Sequence, residues 1–189
     1  MGSSMTALTA QPSHDLMQQP EPMSTTEPEA EVAPPSADEP LLRDLFSFSA
    51  GDAIFAVFAE DVEATAERSR PAKLPHAPPA VLGIVSVRGR MVTTLDPLAL
   101  TNGGGGDWPT ELPWVVALRG DEQLGLAADS LGETITIASA DIEPNVDTGD
   151  SNQAILGIAR HGGQEIAVLN TANLFSAAVR RRERRRRRF

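Results

Sequence analysis

The stretch that decides the fold covers residues 81–100 and reads VLGIVSVRGRMVTTLDPLAL. β-Branched residues dominate both sides of a short RGR segment, a pattern typical of a β-hairpin with a tight turn. The sequence therefore predicts strands over 81–87 and 91–95. A short helical turn is expected to begin at Asp96, because Pro97 would occupy a first-turn position.

A similar stretch occurs 74 positions later in the chain. Residues 155–174 read ILGIARHGGQEIAVLNTANL, and an ungapped alignment places Gly83 on Gly157 and Leu95 on Leu169. The second stretch therefore predicts another hairpin of the same kind.

A second pair of stretches, 45–65 and 114–134, aligns without gaps at an offset of 69. Both members read as a strand, a Gly-Asp turn and a returning strand. Two ungapped matches in the same order indicate a domain with two repeated halves, about 41–112 and 113–179. This repeat predicts two similar small β-barrels in one domain.

Composition sets outer limits on the class of protein. The chain has 189 residues, of which 41% are apolar and none is cysteine, so no disulfide, thiolate metal site or cysteine nucleophile is expected. The sequence contains no run of about 18 apolar residues, so it predicts no membrane-spanning helix. The N-terminus lacks the basic and apolar segments of a signal peptide. We therefore expect a cytoplasmic protein.

The net charge of −10 is divided unevenly along the chain. Residues 1–40 carry seven acidic residues and no Lys or Arg, and their Pro-, Ser-, Thr- and Glu-rich composition predicts a disordered tail. Residues 41–179 carry eighteen acidic and eight basic residues, which argues against a nucleic-acid groove in the domain itself. The last ten residues, 180–189, contain eight Arg and one Glu.

The connecting segments receive separate interpretations. Residues 60–67 are interpreted as a short helical turn that leads into an extended piece. The segment 71–79 contains four prolines and is expected to be an ordered crossover or a loop. Residues 101–113 are expected to form a flexible connection. The many short strands with Gly-centred turns predict an all-β barrel or sandwich.

A final helix is expected over residues 172–188, with Thr171 or Asn173 as its cap. Its apolar side chains are expected to point inward, namely Leu174, Phe175 and Val179. The Arg-rich end of this segment would fray if it stood alone, because like charges repel one another.

No catalytic arrangement is found. The three histidines, His14, His76 and His161, are far apart in the sequence, and none fits a metal-ligand or nucleophile-elbow spacing. The segment NGGGGD lacks the GK[ST] of a phosphate loop. The two acidic pairs, Asp129 with Glu133 and Asp141 with Glu143, are interpreted as exposed charges rather than as catalytic pairs. We expect no cofactor, no metal and no small-molecule substrate.

Residues 41–179 resemble the CheW-like domain, the adaptor module of bacterial chemotaxis arrays. The matching segments are FSFSAGDAIFAV, EDVEAT, KLPHAPPAVLGIVSVRG, MVTTLDPLAL and ILGIARHGGQEIAVLNTANLF. The resemblance implies an all-β fold of two small five-stranded SH3-like barrels packed as one domain, with short helices and a C-terminal helix. It also implies a non-enzymatic adaptor. Its partners would be a CheA-type histidine kinase and the cytoplasmic tip of methyl-accepting chemoreceptors, with other CheW-like domains as further candidates.

The resemblance implies a partner-binding surface around the first hairpin. Arg88 aligns with the arginine of the family's G-x-x-x-x-R-G hairpin motif, where a planar guanidinium can form bidentate contacts and anchor an interface. Gly83 and Gly89 are expected to allow close backbone approach or positive φ. Val62 and Val87 complete the predicted partner-binding set, with core filling as an equal alternative for Val62.

Three positions depart from the pattern of many family members. Those members have Asn where this chain has Ser86, an acidic residue at Ala64 and Pro at Thr93. The three positions lie in or near the predicted partner surface, so the departures bear on partner binding rather than on the fold.

The Arg-rich segment supports a second hypothesis, a binder of polyanions or anionic membranes with the β domain as its carrier. Its candidate residues are Arg180, Arg181, Arg182, Arg184, Arg185, Arg186, Arg187 and Arg188. Nucleic acid and anionic lipid compete there with acidic groups of the chain itself and of partners, and we expect pairing with those acidic groups. A third hypothesis is a CheW-like scaffold of a different signalling or surface-motility pathway.

Overall fold

The structure, a computed structural model, describes residues 40–145 and 153–179. Eleven strands lie in these two ranges: β1 (Leu42–Ala50), β2 (Ala53–Phe58), β3 (Val62–Ser69), β4 (Val81–Val87), β5 (Arg90–Leu95), β6 (Leu112–Leu118), β7 (Leu124–Ala128), β8 (Ser130–Ala138), β9 (Glu143–Pro144), β10 (Ile155–His161) and β11 (Gln164–Leu169). The helical parts are short: α1 (Pro97–Thr101), 3₁₀ turns at Ala59–Asp61, Ser139–Asp141 and Thr171–Asn173, and a helix over 174–179. None of the described helices is long and apolar enough to cross a membrane.

The strands form two sheets. The first sheet has the order β8-β1-β2-β11-β10-β9, and the second has the order β3-β6-β7-β5-β4. Most neighbours are antiparallel, but each sheet contains one parallel contact, between β2 and β11 in the first and between β5 and β7 in the second. Apart from the two-residue strand β9, both sheets have five strands in an equivalent order, which confirms the predicted all-β fold of two small five-stranded units.

The two sheets also share one register. Val168 pairs with Ala56 in the first sheet, and Thr94 pairs with Gly125 in the second. These two pairs are related by the offsets of 74 and 69 residues that relate the repeated stretches. The residue pairs that join the parallel strands therefore correspond one to one between the two sheets.

Neither half of the sequence forms a sheet by itself. Strands β1 and β2 of the first half pair with strands of the second half, whereas β6 and β7 of the second half join β3, β4 and β5. Apart from β9, each sheet thus takes one hairpin from one half and three strands from the other. Because the halves exchange hairpins, neither half can complete its backbone hydrogen bonds without the other.

The core has three parts. A large shared core contains buried residues from both sheets, including the stacked rings of Phe48 and Phe55, whose centroids are 5.9 Å apart. A smaller cluster lies within the second sheet and contains Val85, Val92 and Val115. Another lies within the first sheet and contains Leu45, Ile166 and Val168. The shared core joins the two sheets into one domain, because its apolar area would face water if they separated.

The expected helical turn over 60–67 is wrong beyond its first residues. A 3₁₀ turn ends at Asp61, and the chain then continues as strand β3. In this strand Ala64 pairs with Ala117 and Ala66 pairs with Val115 of β6. Pairing with a fully apolar neighbouring strand outweighs the helical preference of the alanine- and glutamate-rich sequence.

The final helix packs differently from the expectation. Leu174 is buried as predicted, but the side chains of Phe175 and Val179 remain 49% and 42% exposed. The inward side is formed by Ala177 and Ala178 instead. Small side chains let the helix lie close to the shared core, so the larger side chains of Phe175 and Val179 stay partly exposed to solvent. Residues 180–188 of the predicted helix lie outside the described residues.

The expected flexible connection over 101–113 is fixed by a buried carboxylate. Asp96 is only 1% exposed. Its Oδ1 accepts a hydrogen bond from the backbone N–H of Leu98 at 2.9 Å, which caps α1, and its Oδ2 accepts one from Gly106 at 2.7 Å. One side chain therefore satisfies both a helix start and the loop that follows.

We expect the substitution Asp96→Ala to lower the free energy of unfolding by about 2 kcal/mol, because two partly buried N–H donors lose their acceptor. Urea denaturation followed by circular dichroism measures this change. The control is Asp107→Ala, which removes an exposed carboxylate from the same loop. Equal denaturation midpoints for the two variants would show that the Asp96 carboxylate does not hold the loop.

Candidate functional site

The first hairpin ends in a two-residue turn. Val87 pairs with Arg90, so Arg88 and Gly89 form the whole connection between β4 and β5. Their φ angles are +49° and +82°. Positive φ at both central residues is the requirement of a type I′ turn, whose twist matches that of the flanking strands. The exposed residues of this turn and its flanks are named the hairpin tip: Ser86, Arg88, Gly89, Arg90 and Met91.

Arg88 occupies a backbone conformation that ordinary side chains avoid. A non-glycine residue held at positive φ costs about 1 kcal/mol or more. The equivalent hairpin between β10 and β11 has Gly162 and Gly163 at its turn, with φ of +58° and +81°. The repeat therefore uses glycine at the position where the first hairpin holds Arg88. This difference favours a role for the Arg88 side chain itself.

The guanidinium of Arg88 is available to a partner. The residue is exposed, and no hydrogen bond or ion pair joins it to another residue in the described ranges. Its neighbour Arg90 differs, because it donates to both carboxylate oxygens of Glu63. Glu63 lies on β3 and Arg90 on β5, so this ion pair links strands that are not neighbours in the second sheet. Arg88 thus keeps all its donors free for bidentate recognition of a carboxylate.

Met91 adds an apolar contact surface to the hairpin tip. Its side chain is 57% exposed, and it pairs across the hairpin with the exposed Ser86. Arginine and methionine are both enriched at the centres of protein interfaces. Met91 is not among the residues predicted to bind a partner, although its position directly after the RGR segment is a signal for such a role.

Gly83 lies at the other end of β4 and has a structural task. It is buried with φ of +147°, and a Cβ built on it would lie 2.5 Å from the carbonyl oxygen of Ala72. Ala72 forms an isolated bridge with Ile84, with N–O distances of 2.8 and 3.0 Å. Gly157, its counterpart in the repeat, faces the carbonyl oxygen of Glu143 in the same way, at 2.6 Å. Gly83 therefore permits the proline-rich crossover to lie against the strand.

The two predicted valines have different environments. Val87 is only 3% exposed and belongs to the core of the second sheet, so its side chain offers almost no surface to a partner. Val62 is half-buried and packs against the shared core, while its carbonyl oxygen accepts a hydrogen bond from Arg119 Nε at 3.2 Å. Val62 therefore has part of its surface in the core and part in solvent.

The three positions that depart from the family pattern also lie in different environments. Ser86 is exposed on the hairpin tip, where it can meet a partner directly. Ala64 is 6% exposed and packs in the core of the second sheet. Thr93 is half-buried in the middle of β5, where it pairs with Ile84. Only Ser86 therefore changes the chemistry of the hairpin tip.

Some of the other described charges form surface pairs. Arg160 on the first sheet contacts Glu143 at 2.7 Å and Glu165 at 3.2 Å. The hydrogen bond with Glu165 and the charge of Glu143 raise the pKa of Arg160 above its ordinary value. Within residues 40–145 and 153–179, no three His, Asp or Glu side chains gather closely enough to hold a metal ion. The Arg residues of 180–189 and the acidic tail lie outside the described residues.

The family model of the CheW-like domain matches residues 44–179. This chain belongs to the CheW-like domain family. A similar protein, chemotaxis protein CheW of Rhizobium meliloti (strain 1021), is 24% identical over 140 residues, which are 73% of this chain and 90% of that protein. The crystal structure of scaffolding protein TtCheW from Thermoanaerobacter tengcongensis matches with a TM-score of 0.61 at 22% identity, over 72% of this chain and 93% of that one. This second likeness shows that the CheW-like fold is shared.

Proposed function

We propose that this CheW-like domain protein is a non-enzymatic adaptor that couples chemoreceptors to a CheA-type histidine kinase. The observation that carries the proposal is the hairpin tip of a CheW-like domain, where an unpaired Arg88 is held outward in a strained turn. The two similar proteins, one named as a chemotaxis protein and the other as a scaffolding protein, support the same class of function. A CheA-type kinase and the tips of chemoreceptors are cytoplasmic, so we propose that this protein acts in the cytoplasm.

The hairpin tip is suited to a carboxylate on the partner. A guanidinium forms two parallel hydrogen bonds with a carboxylate, and these are stronger than bonds between neutral groups. The two-residue turn is already fixed by the pairing of Val87 with Arg90, so little chain entropy is lost on binding. Met91 contributes apolar area next to this polar contact. We propose that Arg88 provides orientation and Met91 provides buried area.

Val62 is the proposed contact of a second surface. The neighbouring Asp61 is held by the backbone N–H of Arg119 at 2.7 Å and by the hydroxyl of Thr171 at 2.9 Å. A cavity of about 330 Å³ is lined by Arg119, Thr171 and residues between Leu118 and Leu124. An adaptor must hold two partners in a fixed geometry. The hairpin of β6 and β7 pairs with β3 on one side and with β5 on the other, so Val62 and the hairpin tip belong to one sheet.

Affinity capture from the cytoplasm of the source cell tests the proposal. The full chain serves as bait, and mass spectrometry identifies the captured proteins. We expect enrichment of a CheA-type kinase and of a chemoreceptor. Enrichment of a kinase or motility system without chemoreceptors would instead favour the CheW-like scaffold of another pathway.

The polyanion hypothesis rests on the eight Arg residues among the last ten positions. We expect the full chain to bind neither anionic liposomes nor DNA with a Kd below about 1 µM at about 0.15 M salt, because nearby acidic groups compete for the Arg side chains. A salt titration compares the full chain with a variant lacking residues 180–189. Tight binding by the full chain alone would establish the segment as a polyanion-binding site.

A further inference from the structure

The glycine-rich segment after α1, NGGGGD at residues 102–107, takes no part in the adaptor function proposed above. Asn102 is exposed at the C-terminal end of α1, and the next three residues, Gly103, Gly104 and Gly105, are exposed as well. The backbone N–H of Asn102 donates to the carbonyl oxygen of Leu98 at 2.9 Å, but within the described residues no hydrogen bond involves its side-chain amide. An exposed amide group therefore lies directly before a run of glycines.

Asn102 differs from the other four asparagines of the sequence in the residue that follows it. A glycine follows Asn102, whereas residues with larger side chains follow the others, Asn145, Asn152, Asn170 and Asn173. A side chain on the following residue hinders the approach of its backbone nitrogen to the asparagine side chain, and glycine has no such side chain. The sequence therefore favours an attack of backbone on side chain at Asn102 more than at any other asparagine.

We propose that Asn102 is a site of spontaneous deamidation, a self-modification that requires only water. The backbone nitrogen of Gly103 loses its proton and forms a bond to Cγ of Asn102, while the bond between Cγ and Nδ2 breaks and the amide leaves as ammonia. Water then opens the resulting cyclic imide at one of its two carbonyl carbons. The chain carries aspartate or isoaspartate at position 102 afterwards, and no atom is oxidised or reduced.

Ring closure requires a local rearrangement, because Asn102 has φ of −99° and ψ of −11° in the folded chain. The cyclic imide needs Cβ of Asn102 and the nitrogen of Gly103 on the same side of the Cα–C bond, which this ψ does not provide. The rearrangement costs little, since α1 has five residues and the next three residues have no side chains. Gly106, held by Oδ2 of Asp96 at 2.7 Å, confines the opening to residues 102–105.

Peptide mapping of the full chain by mass spectrometry tests the proposal. Samples are incubated at neutral and at mildly alkaline pH and digested with trypsin, and a sample taken at time zero corrects for deamidation during digestion. Cleavage after Arg90 and Arg119 yields peptide 91–119, in which Asn102 is the sole asparagine. Cleavage after Arg160 and Arg180 yields peptide 161–180, which contains Asn170 and Asn173.

We expect peptide 91–119 to gain about 1 Da as the amide becomes a carboxylate. The gain should be roughly tenfold faster than in peptide 161–180, because glycine leaves the attack unhindered. It should also be faster at the higher pH, because the attacking nitrogen must lose its proton. Each event adds one negative charge to the net charge of −10, so isoelectric focusing should show a more acidic form at the same rate. Equal rates in the two peptides would overturn the proposal.

The variant Asn102→Gln is the matched control. Glutamine keeps the amide, but its longer side chain would have to close a larger ring, so the mass gain in peptide 91–119 should disappear. Hydroxylamine, which cleaves the chain at the cyclic imide, should cut the native chain between residues 102 and 103 and leave the variant intact. A mass gain that persists in the variant, or a native chain that hydroxylamine does not cut, would overturn the proposal.

A synthetic peptide of residues 97–108 provides the reference rate without the fold. We expect the full chain to react more slowly than this peptide, because α1 and the bond between Gly106 and Asp96 limit the opening. A reaction in the peptide with none in the full chain would show that the fold protects Asn102, and it would overturn the proposal. The outcome is independent of partner binding, so it does not depend on the adaptor function.

Discussion

The substitution Arg88→Glu is expected to abolish detectable binding to the CheA-type kinase or to the receptor tip, while the Tm stays within a few degrees of the native value. The side chain is exposed and makes no described contact, so the folded domain loses little when it is replaced. At an interface, the same change removes a bidentate contact and places two carboxylates together, which costs several kcal/mol. Isothermal titration calorimetry measures the affinity for each partner.

Arg68→Glu provides a matched control for this prediction. Arg68 also has a positive φ, of +50°, and its side chain is 80% exposed. It lies near the end of β3, away from the hairpin turn. The control therefore reverses the same charge in the same backbone conformation, and it should leave both affinities near the native value. If the two variants bind equally well, Arg88 is not an interface anchor.

The substitution Gly83→Ala is expected to cause the largest loss of stability among single-residue changes in the hairpin. Its Cβ would lie 2.5 Å from one backbone carbonyl oxygen and 2.9 Å from the Cβ of Pro71. The added carbon also sits on a residue with φ of +147°. Strain and overpacking together should lower the free energy of unfolding by about 3 kcal/mol, which corresponds to a fall in Tm of roughly 10 °C.

Gly89→Ala separates the effect of φ from that of the clash. Gly89 has φ of +82°, yet nothing lies within 4 Å of a Cβ built on it. This variant should therefore lose only about 1 kcal/mol. Differential scanning calorimetry of both variants gives the comparison. Equal losses would mean that the close approach of the crossover to Gly83 does not constrain the fold.

The sequence predicted the central hairpin to within one residue at each end. Its strands were expected at 81–87 and 91–95, and they occur at Val81–Val87 and Arg90–Leu95. The β-branched residues and the short turn act locally there, so a local pattern is sufficient. The repeat likewise predicted two equivalent units, because equivalent strands must bury equivalent faces.

The exchange of hairpins between the halves was not predictable from the repeat. Similar sequences show which strands are equivalent, but they do not show which copy of a strand each one pairs with. Strand β3 was missed for a related reason, since its residues become a strand only beside β6. Pairing partners distant in sequence decide such elements, and a single sequence does not reveal them.

Packing gives the residues of the predicted partner-binding set different environments. Arg88 and Gly89 lie together in the turn, but Val87 points into the core because alternate residues of a strand face opposite sides. Packing also decides which residues of the final helix are buried. A pattern of large apolar residues predicted the burial of Phe175, yet the available space next to the core admits Ala177 and Ala178. Which side chains fit at a contact depends on the shapes of both packed surfaces.

Co-sedimentation of the CheA-type kinase with receptor-containing membranes tests the adaptor proposal most directly. The kinase is mixed with membranes from the same cell, with and without the full chain, and the pelleted kinase is quantified. The proposal predicts that the chain raises the pelleted fraction several-fold and that the Arg88→Glu variant does not. A pelleted fraction that is the same with and without the native chain would contradict the role of this CheW-like domain as a coupling adaptor.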